Sequence, residues 1–204
     1  MESDLKNLKI GVLALQGAFR EHIIAIKGCG ALAYEVRLPY ELEDKDGLII
    51  PGGESTTISK LIELYEFKPR LDNFYRKGKP IFGTCAGLIL LARRVKNENF
   101  GLGYIDIEVE RNAYGRQIDS FEEFIDLNLN HNSDPKKFRA IFIRAPKITK
   151  VGDNVKVLGK IGNNVVMARE KNVLVSSFHP ELSEDRRIHQ YFLNMIREYV
   201  KKEN

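Results

Sequence analysis

Cysteine is scarce: the 204 residues hold only two, Cys29 and Cys85. That is too few for a disulfide framework in a chain of this length, so the fold has to rest on an apolar core. Long apolar runs are missing as well. The longest uncharged stretch, Pro80 to Ala92, has 13 residues, short of the ~20 that span a bilayer. The opening Met-Glu-Ser-Asp is acidic and carries no apolar signal core. Nor does one sign of charge dominate. The 32 Lys and Arg stand against 28 Asp and Glu, a net +4 spread along the chain as far as Lys201-Lys202. No basic cluster with interleaved aromatics marks a nucleic-acid surface. Internal repeats, low-complexity tracts and linkers do not occur. These absences predict one globular domain over 1–204, located in the cytoplasm, without membrane or nucleic-acid partners. Residues 1–8 read as a loose extension.

What is present alternates. Lys9 to Leu15 is a short apolar run ending at Gln16-Gly17, the pattern of a buried strand. Phe19, Ile23 and Ile26 then follow at helical spacing, with Gly28 and Gly30 as the stop. Ala31 to Leu38 and Gly47 to Ile50 read as strands, the latter closed by Pro51-Gly52-Gly53. Thr57 to Phe67 returns to helical period, Pro80 to Gly83 is a fourth strand, and Ala86 to Val95 reads as a helix. The second half holds short strands at Tyr104 to Val109, Glu123 to Leu129, Ala140 to Arg144, Val155 to Ile161 and Val165 to Ala168. Asn163-Asn164 reads as a hairpin turn between the last two. Val173 to Phe178 is the final strand, and a helix is expected from Ser183 with Glu184 and Asp185 in its first turn. Its core face would be Ile188, Phe192, Met195, Ile196 and Tyr199. The expected class is therefore α/β. A three-layer, flavodoxin-like, mainly parallel sheet would carry helices on both faces, with antiparallel strands added in the second half.

Three segments carry chemistry. Gly83-Thr84-Cys85-Ala86-Gly87 lies where a buried strand turns into a helix, the thiol version of a nucleophile elbow. Its glycines permit a turn in which side chains would clash. The helix amides behind Cys85 lower a thiol pKa and offer an oxyanion hole that includes the Ala86 N–H. A thiolate needs a base, and four histidines are available. His22 on a polar helix face, His131 in an Asn-rich stretch and His189 inside the last helix read as surface or capping residues. His179 ends an apolar strand, where parallel sheets build their sites. Glu181 follows it by two positions, and in an extended chain it would project to the same side and orient the imidazole. The third segment, Pro51-Gly52-Gly53-Glu54-Ser55-Thr56-Thr57, closes another strand. Its glycines let main-chain N–H groups approach an oxyanion, and Ser55 or Thr56 could cap the next helix.

Gly83-Thr-Cys-Ala-Gly87 together with His179-Pro-Glu181 resembles the triad-type class I glutamine amidotransferases. Within them the chain is most similar to the group of glutaminase subunits that serve pyridoxal 5′-phosphate synthases. Further carrying motifs are Gly11-Val-Leu-Ala-Leu-Gln-Gly-Ala18, Pro51-Gly-Gly-Glu-Ser-Thr-Thr57 and Arg111-Asn-Ala-Tyr-Gly-Arg-Gln117 with Ser120-Phe-Glu122. Phe142-Ile-Arg-Ala-Pro146 completes the set. The resemblance implies hydrolysis of L-glutamine to glutamate and ammonia by Cys85, His179 and Glu181. It implies glutamine contacts at Gly53, Glu54, Ser55, Arg111, Ile143 and Arg144, and oxyanion-hole amides at Gly53 and Ala86. No metal and no cofactor is implied for this chain; pyridoxal phosphate would not be bound. Ammonia would pass to a separate barrel-shaped synthase subunit, the activating partner, which joins it to a pentose phosphate and a triose phosphate. Gln16 and Gly17, expected beside the Gly52-Gly53 turn, are candidates for that gating. Competing readings are the glutaminase of another pathway such as imidazole glycerol phosphate synthase, a cysteine-elbow hydrolase or chaperone of related fold, and a non-enzymatic binding module.

Overall fold

The computed structural model describes residues 5–111, 120–129 and 137–203. The expectations for Asn112 to Gln117, for His131 and for most of the Asn128 to Lys137 run lie outside the described residues.

The first half alternates as its apolar runs predict. In chain order come β1 (Lys9–Leu13), α1 (Phe19–Gly28), β2 (Leu32–Val36), β3 (Gly47–Ile50), α2 (Ser55–Leu64), α3 (Lys68–Arg76), β4 (Ile81–Thr84) and α4 (Ala86–Leu91). The second half is strand-rich: β5 (Ala92–Val95), β6 (Ile105–Glu110), β7 (Ser120–Ile125), β8 (Phe138–Ile143), β9 (Lys147–Val151), β10 (Lys156–Ile161), β11 (Asn164–Glu170) and β12 (Val173–Ser176). The helix α5 (Arg187–Glu203) closes the chain. The central sheet has seven strands in the order β10-β11-β12-β4-β3-β1-β2. From β12 to β2 the neighbours are parallel, whereas β11 and β10 add antiparallel pairs at one edge.

Every residue of β3, β4 and β12 is buried, because a parallel sheet is covered on both sides. The period of two then divides the core. Leu48, Ile50, Ile81 and Val175 face one layer with Ile58 and Ile62 of α2 and Leu88 of α4. Ile49, Phe82 and Leu174 face the other, with Ile26 of α1 and Ile188 and Phe192 of α5. Each such fully buried side chain contributes about 1.5–3 kcal/mol. A three-stranded sheet β5-β6-β9 and the β7–β8 hairpin extend these two layers.

Several boundaries differ from the sequence expectation. The helix at Ala86 ends at Leu91, and Ala92–Val95 is strand β5 rather than its last turn. Arg93 and Arg94 point outward there and pair with Asp106 and Glu108 of β6 at 3.1 and 3.5 Å. The last helix begins at Arg187, not Ser183, because Asp185 accepts hydrogen bonds from the Arg187 N–H and guanidinium ahead of the first turn. Tyr199 at its far end is only half-buried. The β10–β11 turn falls on Gly162-Asn163, where Gly162 takes φ 53°, and Asn164 already pairs with Ile161.

Candidate active site

Because β1, β3, β4 and β12 are parallel and all four lie within one run of the sheet, their carboxyl ends align along one edge. They deliver, in that order, Gln16-Gly17, Gly52-Gly53, Cys85 and His179.

Cys85 sits between β4 and α4 with φ 47° and ψ −101°. That conformation costs a non-glycine residue about 1–3 kcal/mol and is held by its surroundings. The Cys85 N–H donates to the Ser176 carbonyl at 2.9 Å, pinning the turn to β12. Space explains the flanking glycines. A Cβ on Gly83 would lie 2.6 Å from the Gly87 carbonyl carbon, and one on Gly87 would lie 2.0 Å from the Ile50 oxygen. The Ala86 N–H opens α4, where first-turn amides have no intrahelical partner. Cys85 is buried, and its Sγ lies 3.7 Å from the Ile143 carbonyl oxygen. The left-handed Arg144, φ 44°, follows that carbonyl; Ile143 and Arg144 are both exposed.

His179 is placed by two neighbours. After β12 the chain leaves the sheet, and the His179 N–H donates to the Ile141 carbonyl of β8 at 2.8 Å. The His179 ring and Cys85 both lie against Gly52, and His179 Nδ1 lies 2.7 Å from Glu181 Oε1. Pro180–Leu182 form a 3₁₀ turn rather than an extended segment. Glu181 therefore returns to His179 through a turn begun by proline, whose fixed φ suits a first helical position. Burial opposes a charge on His179, but the hydrogen bonds to Cys85 and Glu181 and their charges outweigh it and push its pKa up to about 10. The imidazolium is thus the favoured state of His179. Burial also disfavours an ionised Glu181, yet His22 and His179 together hold its pKa below the usual value.

The Gly52-Gly53 turn lies directly over this pair. A Cβ on Gly52 would stand 2.4 Å from His179 Cε1 and 3.3 Å from Cys85 Cβ. Gln16 to Ala18 strap the turn from the other side. The Ala18 N–H donates to the Gly52 carbonyl at 2.9 Å, and the Glu54 N–H donates to Gln16 Oε1 at 2.7 Å. Gly17, with φ 106°, tolerates no side chain, since a Cβ would lie 1.9 Å from the Gly52 oxygen.

Opposite charges meet at the rim. Arg111 donates to Glu54 at 3.2 Å and to Glu98 at 3.0 Å. Glu54, rather than Ser55 or Thr56, caps α2: its carboxylate accepts from the N–H groups of Thr56 and Thr57. Hydrogen bonds from Thr56 and Thr57 outweigh burial and bring its pKa down to about 2. Ser55 is the buried first residue of that helix.

Two histidines read as surface residues are buried instead. His22 and His189 are both 0% exposed. His22 Nδ1 lies 3.1 Å from His189 Nε2, and His22 Nε2 lies 3.0 Å from Thr84 Oγ1 and 3.3 Å from Glu181 Oε2. Helical spacing held the signal: His22 is three residues after Phe19 and four before Ile26, on the apolar face of α1. Burial lowers the pKa of both, that of His189 to about 3. Among the described residues no group of three or more His, Cys, Asp or Glu is placed to hold a metal ion, and no helix is long and apolar enough to cross a membrane.

Residues 12–198 match the model of the SNO glutamine amidotransferase family. The chain belongs to that family. Among its relatives is the pyridoxal 5′-phosphate synthase subunit PdxT of Thermosipho africanus, 51% identical over 93% of this chain and 100% of the relative. The subunit of the same name from Halalkalibacterium halodurans is 52% identical over 94% of this chain and 96% of its own. A crystal structure of a glutamine amidotransferase superposes with a TM-score of 0.85 at 46% identity, covering 92% of this chain and 98% of the other.

Proposed function

We propose that this single-domain chain is the glutaminase subunit of a pyridoxal 5′-phosphate synthase, acting in the cytoplasm. The observation that carries it is the strained Cys85 elbow facing the His179–Glu181 pair from the adjacent strand end. Cys85, as the thiolate paired with the His179 imidazolium, attacks the side-chain amide of L-glutamine, and the amides of Ala86 and Gly53 receive the oxyanion. The imidazolium of His179 protonates the departing ammonia, leaving a thioester. His179, now neutral, takes a proton from water, and the hydroxide attacks the thioester, expelling glutamate and regenerating the thiolate–imidazolium pair. Arg111 and Glu54 are a cation and an anion that can exchange each other for the α-carboxylate and α-ammonium of the substrate. Ser55, Ile143 and Arg144 complete the glutamine contacts.

The relatives named as pyridoxal 5′-phosphate synthase subunits support a synthase partner, which we take to be a barrel-shaped subunit that accepts the ammonia. Gln16 and Gly17 form the strap that fixes the orientation of the Gly52–Gly53 peptide, so a partner docking on that strap sets the Gly53 amide. One oxyanion donor is worth about 2.7–4 kcal/mol of barrier. Glutamate release at saturating glutamine should rise at least tenfold on adding stoichiometric synthase subunit, a conservative fraction of that barrier. It should vanish in Cys85→Ala with or without the subunit. Turnover by Cys85→Ala would overturn the nucleophile, and full activity of the isolated chain would overturn the gating.

A further inference from the structure

We propose that His22 is a positioning residue for the Cys85–His179–Glu181 triad, holding the far oxygen of Glu181 and tying it through Thr84 to the Gly52 turn. The inference rests on the triad assignment above and gives that site a fourth member on α1.

The Glu181 side chain is wholly buried. Its Oε1 accepts from His179 at 2.7 Å, but Oε2 has no hydrogen-bond partner of good geometry. The polar atom facing it is His22 Nε2 at 3.3 Å. A buried carboxylate oxygen left without a donor is costly, so the proton on His22 belongs on Nε2. The rest of the network agrees. With Nε2 protonated, His22 Nδ1 accepts from His189 Nε2–H at 3.1 Å. His189 Nδ1, which has no partner, is then a bare lone pair and not a stranded donor. The opposite tautomer would aim a lone pair at the carboxylate and bury an unpaired N–H on His189.

Thr84 extends the link. Its Oγ1 accepts from the Gly52 N–H at 3.0 Å and forms the shorter, 3.0 Å hydrogen bond with His22 Nε2, so the Nε2 proton is divided between Thr84 and the Glu181 oxygen 3.3 Å away. The Gly52 carbonyl is meanwhile held by the Ala18 N–H, and the Ala18 carbonyl accepts the His22 N–H at 3.4 Å. Both polar groups of Gly52 and the outer oxygen of Glu181 therefore converge on the first turn of α1. Displacement of that turn would disturb the glycine turn and the carboxylate together. Charged or titratable groups around His22 are Glu181, His179, His189 and Glu21; burial keeps the ring neutral, so it donates without competing for the catalytic proton.

The test uses the full chain with its synthase subunit and L-glutamine. His22→Leu should lower kcat about tenfold or more at unchanged KM, the loss of one hydrogen bond to a charged group. His22→Gln, whose amide can place an N–H near the Nε2 position, should recover most of it. In a Glu181→Gln background His22→Leu should cost less than about twofold, because it acts through Glu181. Losses that multiply in the double variant, or wild-type kcat in His22→Leu beside a damaged Glu181→Gln, would overturn the positioning role alone. Wild-type turnover in Glu181→Gln would instead overturn the triad and this proposal with it. Should His22→Leu fail to fold, the nitrogen-15 spectrum of the wild-type histidines decides: a neutral His22 protonated at Nε2 supports the role, and a ring protonated at Nδ1 or charged at neutral pH refutes it.

Discussion

His189 should make this protein sensitive to mild acid before its carboxylates titrate. The ring is fully buried between α1 and the sheet, against Phe82 and His22. Burial first, then the neighbouring His22 and Arg186, bring its pKa down to about 3 against the Glu181 charge. Well above pH 6.5 neither folded nor unfolded chain carries the proton, and there is no effect. Below 6.5 the unfolded chain takes it up while the folded chain does not until about 3. Stability therefore falls with pH by about 1.36 kcal/mol per unit, or about 2 kcal/mol between about pH 7.5 and about pH 5. His22, lowered by burial, acts in the same direction. His179 offsets part of this loss, since a group raised to about 10 gains stabilisation as the pH falls towards 6.5 and holds it in full only below that; it is common to wild type and variant and drops out of their difference. His189→Leu removes the titration and leaves His22 Nδ1 without its donor, costing about 1–3 kcal/mol at neutral pH. Urea unfolding of both proteins at the two pH values measures the difference. The wild type should lose about 2 kcal/mol more than the variant on acidification. Equal losses in both would refute the account.

Two further outcomes follow from the rim and the strap. Arg111→Ala should raise KM for glutamine by roughly ten- to a hundredfold with kcat little changed, the loss of a charge-assisted contact; steady-state kinetics with the synthase subunit present checks it, and an unchanged KM would leave Arg111 as a partner of Glu54 and Glu98 only. Gly17→Ala forces a Cβ to 1.9 Å from the Gly52 oxygen at a left-handed φ. It should abolish stimulation by the synthase subunit while a small electrophile still alkylates Cys85; normal stimulation would remove the strap from the gating.

The central sheet was legible because its strands are apolar runs closed by glycine, proline or a polar motif, as at Gly47–Ile50 before Pro51-Gly52-Gly53. Helix α3 was not, because only Leu71 and Phe74 of its nine residues are buried and the remainder are mainly charged or polar. Strand β9 buries Ile148 alone in Lys147–Val151, too little for an alternating pattern. Ala92 to Val95 looked helical since the apolar run before it is continuous; the outward arginines became a strand signal only through Asp106 and Glu108 across the sheet. In the site, the glycine elbow and the His-Pro-Glu sequence were visible because they are local. His22 and His189 are not legible there, because their polar type masks their position on apolar helix faces and their contact spans 167 residues.

Glu181 faces two histidines whose pKa values are driven apart, and that difference assigns their work. His179 is raised because the Cys85 and Glu181 interactions outweigh its burial, which fits the proposal that it carries the proton for the departing ammonia. His22 is lowered because burial dominates and His179 repels a second charge. A lysine or arginine at that position would also neutralise Glu181, but a buried cation there would repel the imidazolium and drain its proton affinity. A neutral imidazole places an N–H 3.3 Å from the carboxylate without adding a charge. The carboxylate can then stay ionised in a closed site while its attraction remains available to His179. That donor lies on α1, directly after the strap that contacts Gly52, so in the proposed mechanism an outside contact on the strap would reach the proposed proton-transfer residue as well as the proposed oxyanion turn.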